Sequence, residues 1–331
     1  EVAVFPYSVF KNVDIGKKVL FNDGFVSTKI IKKQKNKVIV EVLNSGEIKT
    51  KKGVNIPDVD IDLPAMTDAD MKDLKFGCLH DVDLVAASFI RSADHVLAIK
   101  KYLGKHKGEH ILVIAKIENH QGINNFDSIV EVADGIMVAR GDLGVEVDFS
   151  LVPKYQKMMI KKCYSAGKPV ITATQMLESM MLNPRPTRAE ASDVANAIYD
   201  STSAVMLSGE TAAGKYPIQT VRQMKKIVKE AEKDFDYKSF FYKSEDFEKF
   251  IDTSYSIAIA AVKTAYNLDA KAIFVYSSSG YTARLISRMR PNKPILALSA
   301  SKRVYNQMSL NWGVIPVYKS KVKTSSDAFE I

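Results

Sequence analysis

Short apolar runs divided by polar, glycine-marked turns open this chain, and apolar runs alternating with helical periodicity follow. Val19–Phe21 and Phe25–Ile31 flank Asn22-Asp23-Gly24, and Val38–Leu43 and Glu47–Thr50 flank Asn44-Ser45-Gly46. β-Branched runs around such turns predict two hairpins, so roughly the first sixty residues read as a small β domain. Lys51–Asn55 closes it, and Pro57–Pro64 leads out.

From Leu63 the pattern becomes strand then helix, repeatedly. Thr67 with Asp70 forms a capping box for a helix ending at Gly77. Strand Leu84–Phe89 follows, then a helix from Ser92 to near Gly104 and strand Ile111–Ile117. Ile123, Phe126, Ile129, Val130 and Ala133 fall at helical spacing. Next come strand Ile136–Ala139, helix Tyr155–Ala166, strand Val170–Thr174, a helix capped by Thr187 and Glu190, and strand Ala204–Leu207. Pro217 suits the first turn of a helix. About 30 residues per unit is the spacing of a (β/α)8 barrel, of which five units are countable. Beyond the polar, aromatic stretch Lys233–Phe250, the runs Ser254–Tyr266, Ala272–Tyr276, a helix from Thr282, and Ile295–Leu298 begin an open α/β sheet. The expected domains are therefore 1–63, 64–233 and 234–331.

Composition narrows the class without changing this picture. No apolar run reaches the roughly 18 residues of a membrane span, and the opening has no basic region leading into an apolar signal segment. Two cysteines, Cys78 and Cys163, rule out a disulfide framework and point to a reducing, cytoplasmic setting. The formal charge of +9 is dispersed, and Lys32–Lys37 reads as a solvated hairpin tip rather than a nucleic-acid surface. It suits phosphorylated small molecules better.

Candidate chemistry gathers where the apolar runs end. Residues two apart in a strand face one way, which pairs Lys116 with Glu118, Arg140 with Asp142, Thr172 with Thr174, and Ser208 with Glu210. A barrel collects those ends on one face. One such pair is an ordinary surface ion pair; four at matching ends point to a site. Glu118 and Asp142 are hard oxygen ligands suited to Mg2+, and Lys116 is a point charge for a transferring phosphoryl group. Gly141 allows close backbone approach, with helix-opening amides beyond it to meet an anion. Thr174 and Ser208 can position water or relay a proton. Arg140 reads as a structural ion pair, and His120 as a loop residue. Gly209–Lys215 imitates a phosphate-binding loop, yet Tyr216 stands where Ser or Thr is needed, so it reads as a chance match. Ser277-Ser278-Ser279-Gly280-Tyr281-Thr282, running into a helix with Arg284 and Arg288, reads equally as a phosphate site or a plain turn.

These residues also resemble a known family. Ala115–His120, Met137–Gly144, Ala173–Met180, Pro184–Ala191 and Met206–Ala212, with Lys52–Asn55, Asp62–Pro64 and Ala87–Arg91, resemble pyruvate kinase over essentially the whole chain. The resemblance implies a TIM barrel carrying a small β-barrel lid and a C-terminal α/β regulatory domain. It implies phosphoryl transfer from phosphoenolpyruvate to ADP, giving pyruvate and ATP, the last step of glycolysis. Lys116 would stabilise the transferring group and the enolate, and Glu118 and Asp142 would hold Mg2+ or Mn2+. Gly141, Asp142 and Thr174 would contact substrate, Thr174, Ser208 and Glu210 would lie near the proton path, and Lys52 would reach the nucleotide. Ser277, Ser278, Ser279, Gly280, Tyr281 and Thr282 would take an effector phosphate, and Pro184–Glu190 a subunit contact in a homotetramer.

Three opening barrel strands of the family, with an arginine, K+ ligands and part of the nucleotide site, have no counterpart here, nor has its final segment. The chain therefore reads as an internal portion, strands 4–8 of the barrel, with open sheet edges and no activity expected of it alone. The alternatives are a Mg2+-dependent lyase or aldolase acting on pyruvate enolate, which needs neither Lys52 nor a nucleotide lid, and an inactive regulatory subunit, which has no use for Lys116, Glu118, Asp142 and Thr174.

Overall fold

The three largest hydrophobic clusters, each against its own sheet, organise the computed structural model, which describes residues 2–4, 6–11, 13–35, 37–60, 63–244 and 252–320. Asn36 of the lysine-rich tip, Asp62 of the 62–64 motif and residues 245–250 of the connector lie outside the described residues.

The first sheet is antiparallel, ordered β3-β2-β1-β4, from β1 (Lys18–Phe21), β2 (Val26–Gln34), β3 (Lys37–Val42) and β4 (Val54–Asn55). The turn after Phe21 forms as expected, with Asn22 and Asp23 in left-handed backbone. The second expected hairpin does not form. β3 pairs back onto β2 across the lysine-rich tip, and residues 47–50 take no strand partner. The Asn44 side chain explains the difference: it accepts the Ser27 N–H at 2.7 Å and donates to the Phe25 carbonyl at 2.8 Å. A turn signal there serves as a side-chain clamp on β2.

The second sheet is parallel, in the order β5 (Leu84–Ala87), β6 (Leu112–Ile117), β7 (Gly135–Ala139), β8 (Val170–Ala173) and β9 (Ala204–Val205). Each connection carries helix: α1 (Asp68–Leu79) enters the sheet, then α2 (Ala93–Lys105), α3 (His120–Asn124) with α4 (Phe126–Val132), and α5 (Arg140–Glu146) with α6 (Val152–Ser165). α7 (Arg188–Tyr199) precedes β9, and α8 (Gly209–Ala212) and α9 (Pro217–Asp234) follow it. Both expected capping boxes are present, at Thr67–Asp70 and Thr187–Glu190. β7 is buried throughout, as a strand covered on both faces must be. Gly135 is required there, since a Cβ would lie 2.8 Å from Ile114 and 3.1 Å from the Pro169 carbonyl.

Several boundaries differ from expectation. α1 continues past Gly77 to Leu79 and is stopped by Asp81 in left-handed backbone. The periodic stretch 123–133 is two helices broken at Asn125, and His120 opens the first instead of lying in a loop. β5, β8 and β9 each end before the expected residue. Consequently Arg140 and Asp142 belong to a helix, and Ser208 and Glu210 lie beyond β9. The strand alternation used to pair them does not apply.

The third sheet, β10 (Ile273–Tyr276), β11 (Ile295–Ser299) and β12 (Val314–Tyr318), is parallel in sequence order. α10 (Tyr237–Ser244), α11 (Thr253–Asn267), α12 (Tyr281–Arg288) and α13 (Lys302–Met308) pack around it. The stretch expected as a connection is helical at α10, with Phe241 buried in this core. The unit docks beneath the parallel sheet, where Arg288 donates to the Ser165 carbonyl at 2.6 Å and Arg290 to the Ser201 carbonyl at 2.8 Å. Among the described residues no helix is long and apolar enough to cross a membrane.

Candidate active site

The C-terminal ends of β5, β6, β7 and β8 bring two polar clusters together, joined by the first turn of α5. In the first, Lys116 Nζ lies 2.7 Å from Glu118 Oε1 and 2.7 Å from Ser88 Oγ. Glu118 Oε2 accepts the Phe89 N–H at 2.5 Å. Glu118 is 1% exposed, and burial pushes its carboxyl pKa up, against the pull of Lys116 and the Phe89 N–H; the charge of Asp142 adds to the push. An anionic pair so placed favours a cation between substrate and protein.

In the second cluster, Thr174 Oγ1 accepts the Gly141 N–H at 2.7 Å and donates to the Ala173 carbonyl at 2.6 Å. The amide expected to meet a substrate anion is thus already bonded within the protein. Arg140 fixes the same corner: it pairs with Asp193 at 2.6 Å and donates to the Thr174 carbonyl at 2.8 Å. Thr174 and Gln175 stand in left-handed backbone, φ +69° and +52°, and Phe89 at +53°. Strain of this kind gathers at functional corners.

Glu210 is buried and its two oxygens accept the Leu177 N–H at 3.2 Å and the Ser208 N–H at 2.8 Å. It fixes the approach to Ser208, whose own side is exposed. The imitation phosphate loop makes no cradle, because the Ala213 and Gly214 amides both bond the Gly209 carbonyl. Lys52 is exposed in the small β domain beside Gly53. Gly53, Ser88, Asp142 and Glu146 line a cleft of about 1050 Å3 between that domain and the parallel sheet. Asn55 crosses it to Glu146 Oε1 at 2.7 Å. Ser277–Thr282 are not part of this assembly; they precede and open α12, with Ser277 buried and donating its N–H to Leu298.

Ser88, the Phe89 amide and the Asn55–Glu146 bridge were not among the residues expected to matter. Ser88 and Phe89 lie inside the motif Ala87–Arg91, and a polar residue directly after an apolar run was the available signal. The Phe89 contact depends on its backbone angle, which composition does not show.

Among the described residues no three His, Cys, Asp or Glu side chains converge as a self-sufficient metal site. A divalent ion here would rest on Glu118 and Asp142 with substrate and water oxygens, the habit of Mg2+.

The family model described as "Pyruvate kinase, barrel domain" matches residues 2–221, and "Pyruvate kinase, alpha/beta domain" matches 255–331. A Clostridium acetobutylicum protein named pyruvate kinase is 48% identical over 319 residues, covering 96% of this chain and 67% of that protein. Staphylococcus epidermidis has one 49% identical over 322 residues, 96% of this chain and 54% of its own length. Another, from Geobacillus stearothermophilus, is 44% identical over 333 residues, 100% of this chain and 57% of its own. The chain spans between about half and two thirds of the length of these relatives. The lyase alternative finds no support among these matches.

Proposed function

The chain belongs to the pyruvate kinase family, and from that membership and the site's geometry we propose that it carries the phosphoryl-transfer site of a pyruvate kinase. The observation that carries the reading is Lys116, held 2.7 Å from buried Glu118 near the charge of Asp142 and bonded to Ser88, which with Asp142 lines the interdomain cleft. The phosphorus–oxygen bond to the enol oxygen of phosphoenolpyruvate breaks as a bond to a terminal oxygen of ADP forms. The enolate left behind then gains a proton at its methylene carbon, giving pyruvate.

Lys116 faces both the transferring group and the oxygen on which charge develops, where a fixed cation in a partly dry site is most effective. Glu118 and Asp142 would hold Mg2+ or Mn2+, which when bound neutralises phosphate charge. K+ is proposed on family membership alone. The substrate carboxylate replaces the Thr174 hydroxyl at the Gly141 N–H, freeing Thr174 to face the substrate near the proton path. Ser208, oriented by Glu210, lines that path. Lys52 reaches the nucleotide from the lid, residues 1–63, over the catalytic part, residues 64–233. Residues 234–331 form the regulatory unit, with Ser277–Thr282 as effector-phosphate segment. Leu182, 66% exposed beside Pro184–Glu190, supports subunit contact in a homotetramer. A cytoplasmic location fits the free cysteines.

Pyruvate formation by the intact protein, followed with and without ADP, tests the reading. Formation that requires ADP and phosphoenolpyruvate together is expected. Pyruvate released without ADP would contradict it and favour enolate chemistry of another kind.

A further inference from the structure

The small β domain meets the catalytic part at the far end of α5. Asn55 Nδ2, from β4, donates to Glu146 Oε1 at 2.7 Å. Beside this bond the turn after β1 lies against the same helix end, since a Cβ on Gly24 would stand 3.5 Å from Val145 Cγ1. α5 is only seven residues long. Arg140, Gly141 and Asp142 open it, and Glu146 comes four residues after Asp142, on the same face of the helix. Both carboxylates line the interdomain cleft. One short helix therefore carries the proposed metal ligand at one end and the contact with the lid at the other. On the lid side, β4 is two residues long and stands at the sheet edge, paired with β1 at Leu20–Asn55 and Phe21–Val54. Just before it, Lys51 is in left-handed backbone, φ +62°, and the Gly53 carbonyl accepts the Asn22 N–H at 3.2 Å. Lys52 lies between those two, three residues from Asn55. Ile56, on the other side of Asn55, is buried in the domain's own core, so a constraint on Asn55 is passed to the whole domain. Glu146 is half-buried, and burial pushes its carboxyl pKa up against the pull of the Asn55 bond; the charges of Asp58 and Asp142 add to the push. A carboxylate so placed is costly to leave without its donor.

Given phosphoryl transfer to ADP, the function proposed for this site, we infer that Glu146 is a positioning residue for the nucleotide: by holding Asn55 it sets the small domain over the cleft so that Lys52 meets the diphosphate. Glu146 and Asn55 act through Lys52 and take no part at the reacting atoms. The phosphoenolpyruvate side of the site stands apart from them. Lys116 is held there by Glu118 and Ser88, and Gly141 by Thr174, none of which depends on the bridge. Loss of the bridge therefore weakens one substrate and spares the other.

Asn55→Ala, Glu146→Ala, their double variant and Glu146→Gln are made in the intact protein. KM for ADP, KM for phosphoenolpyruvate, Mn2+ affinity, and amide hydrogen exchange over residues 50–58 are measured on each. Asn55→Ala and Glu146→Ala should each raise KM for ADP roughly tenfold, with KM for phosphoenolpyruvate and Mn2+ affinity kept within about twofold. Exchange over 50–58 should quicken in both. The double variant should be no worse than either single one, because both remove the same bond. Glu146→Gln should stay close to the wild type, since its amide oxygen still accepts from Asn55. Either alanine variant serves alone should the other fail to fold. An unchanged or lowered KM for ADP, parallel rises in both KM values, a weakened Mn2+ site, unaltered exchange or additive effects in the double variant would overturn the proposal. Failure of the phosphoryl-transfer function itself shows separately, as pyruvate formation by the wild type that is indifferent to ADP.

Discussion

Phe89 holds left-handed backbone, φ +53°, shortly after β5, and in that conformation its N–H reaches Glu118 at 2.5 Å. For a residue with a Cβ the left-handed region costs about 1–2 kcal/mol. The neighbouring structure must hold the corner in place, and the return is a buried carboxylate anchored next to Lys116. Phe89→Ala keeps the strain and loses the ring, whereas Phe89→Gly loses the ring but relieves the strain. Denaturant unfolding should therefore find Phe89→Gly more stable than Phe89→Ala by about 0.5–1 kcal/mol, after subtracting glycine's greater chain entropy. The reverse order would show that the corner is not strained. Thr174, at φ +69°, is a β-branched residue in the same region. Its hydroxyl receives the Gly141 N–H, so strain and hydrogen bonding meet at one side chain.

At the scale of the element, Glu190 ties α7 to the turn before it. Its carboxylate accepts the Thr187 N–H at 2.7 Å, the Ser179 N–H at 2.7 Å and the Ser179 hydroxyl at 2.5 Å. Burial pushes its pKa up, but these donors and the Thr187 hydroxyl outweigh burial and hold it below the ordinary 4.5. A carboxylate with a depressed folded-state pKa stabilises the fold fully above its unfolded value, and that stability is lost as pH falls through the folded value. Thermal midpoints measured downward from pH 7 should hold until about pH 4.5 and then fall more steeply in the wild type than in Glu190→Gln. Equal slopes would show that the cap does not depend on the charge.

Local devices of this kind were legible in the sequence, because a capping box is written within four residues. Strand ends were less so. Arg140-Gly141-Asp142 reads as the end of an apolar run, yet the chain turns into α5 at Arg140, and only the tertiary fit of Thr174 against Gly141 decides that. The failed hairpin at Asn44 has the same origin: a turn residue found a distant partner in β2.

For the whole molecule, alternation of apolar runs revealed the parallel sheet and the order of its strands, and the long motifs revealed the family. What periodicity could not show is where the pieces meet. The Asn55–Glu146 bridge between β4 and α5, and the cationic floor where Arg288 reaches Ser165, join residues 91 and 123 positions apart. Such contacts depend on docking geometry and leave no local pattern. They also mark two faces of the parallel sheet, one carrying Lys116, Glu118, Asp142 and Thr174, the other meeting Arg288 and Arg290 of the third unit. The first face holds the central claim, that Lys116 acts on the transferring phosphoryl group and does more than balance Glu118. The decisive measurement is Lys116→Met in the intact protein, with ADP-dependent pyruvate formation and Mn2+ binding measured on the same preparation. Turnover reduced by roughly a thousandfold or more with Mn2+ affinity largely kept is predicted. Equal loss of both would contradict it and leave Lys116 a structural counter-charge.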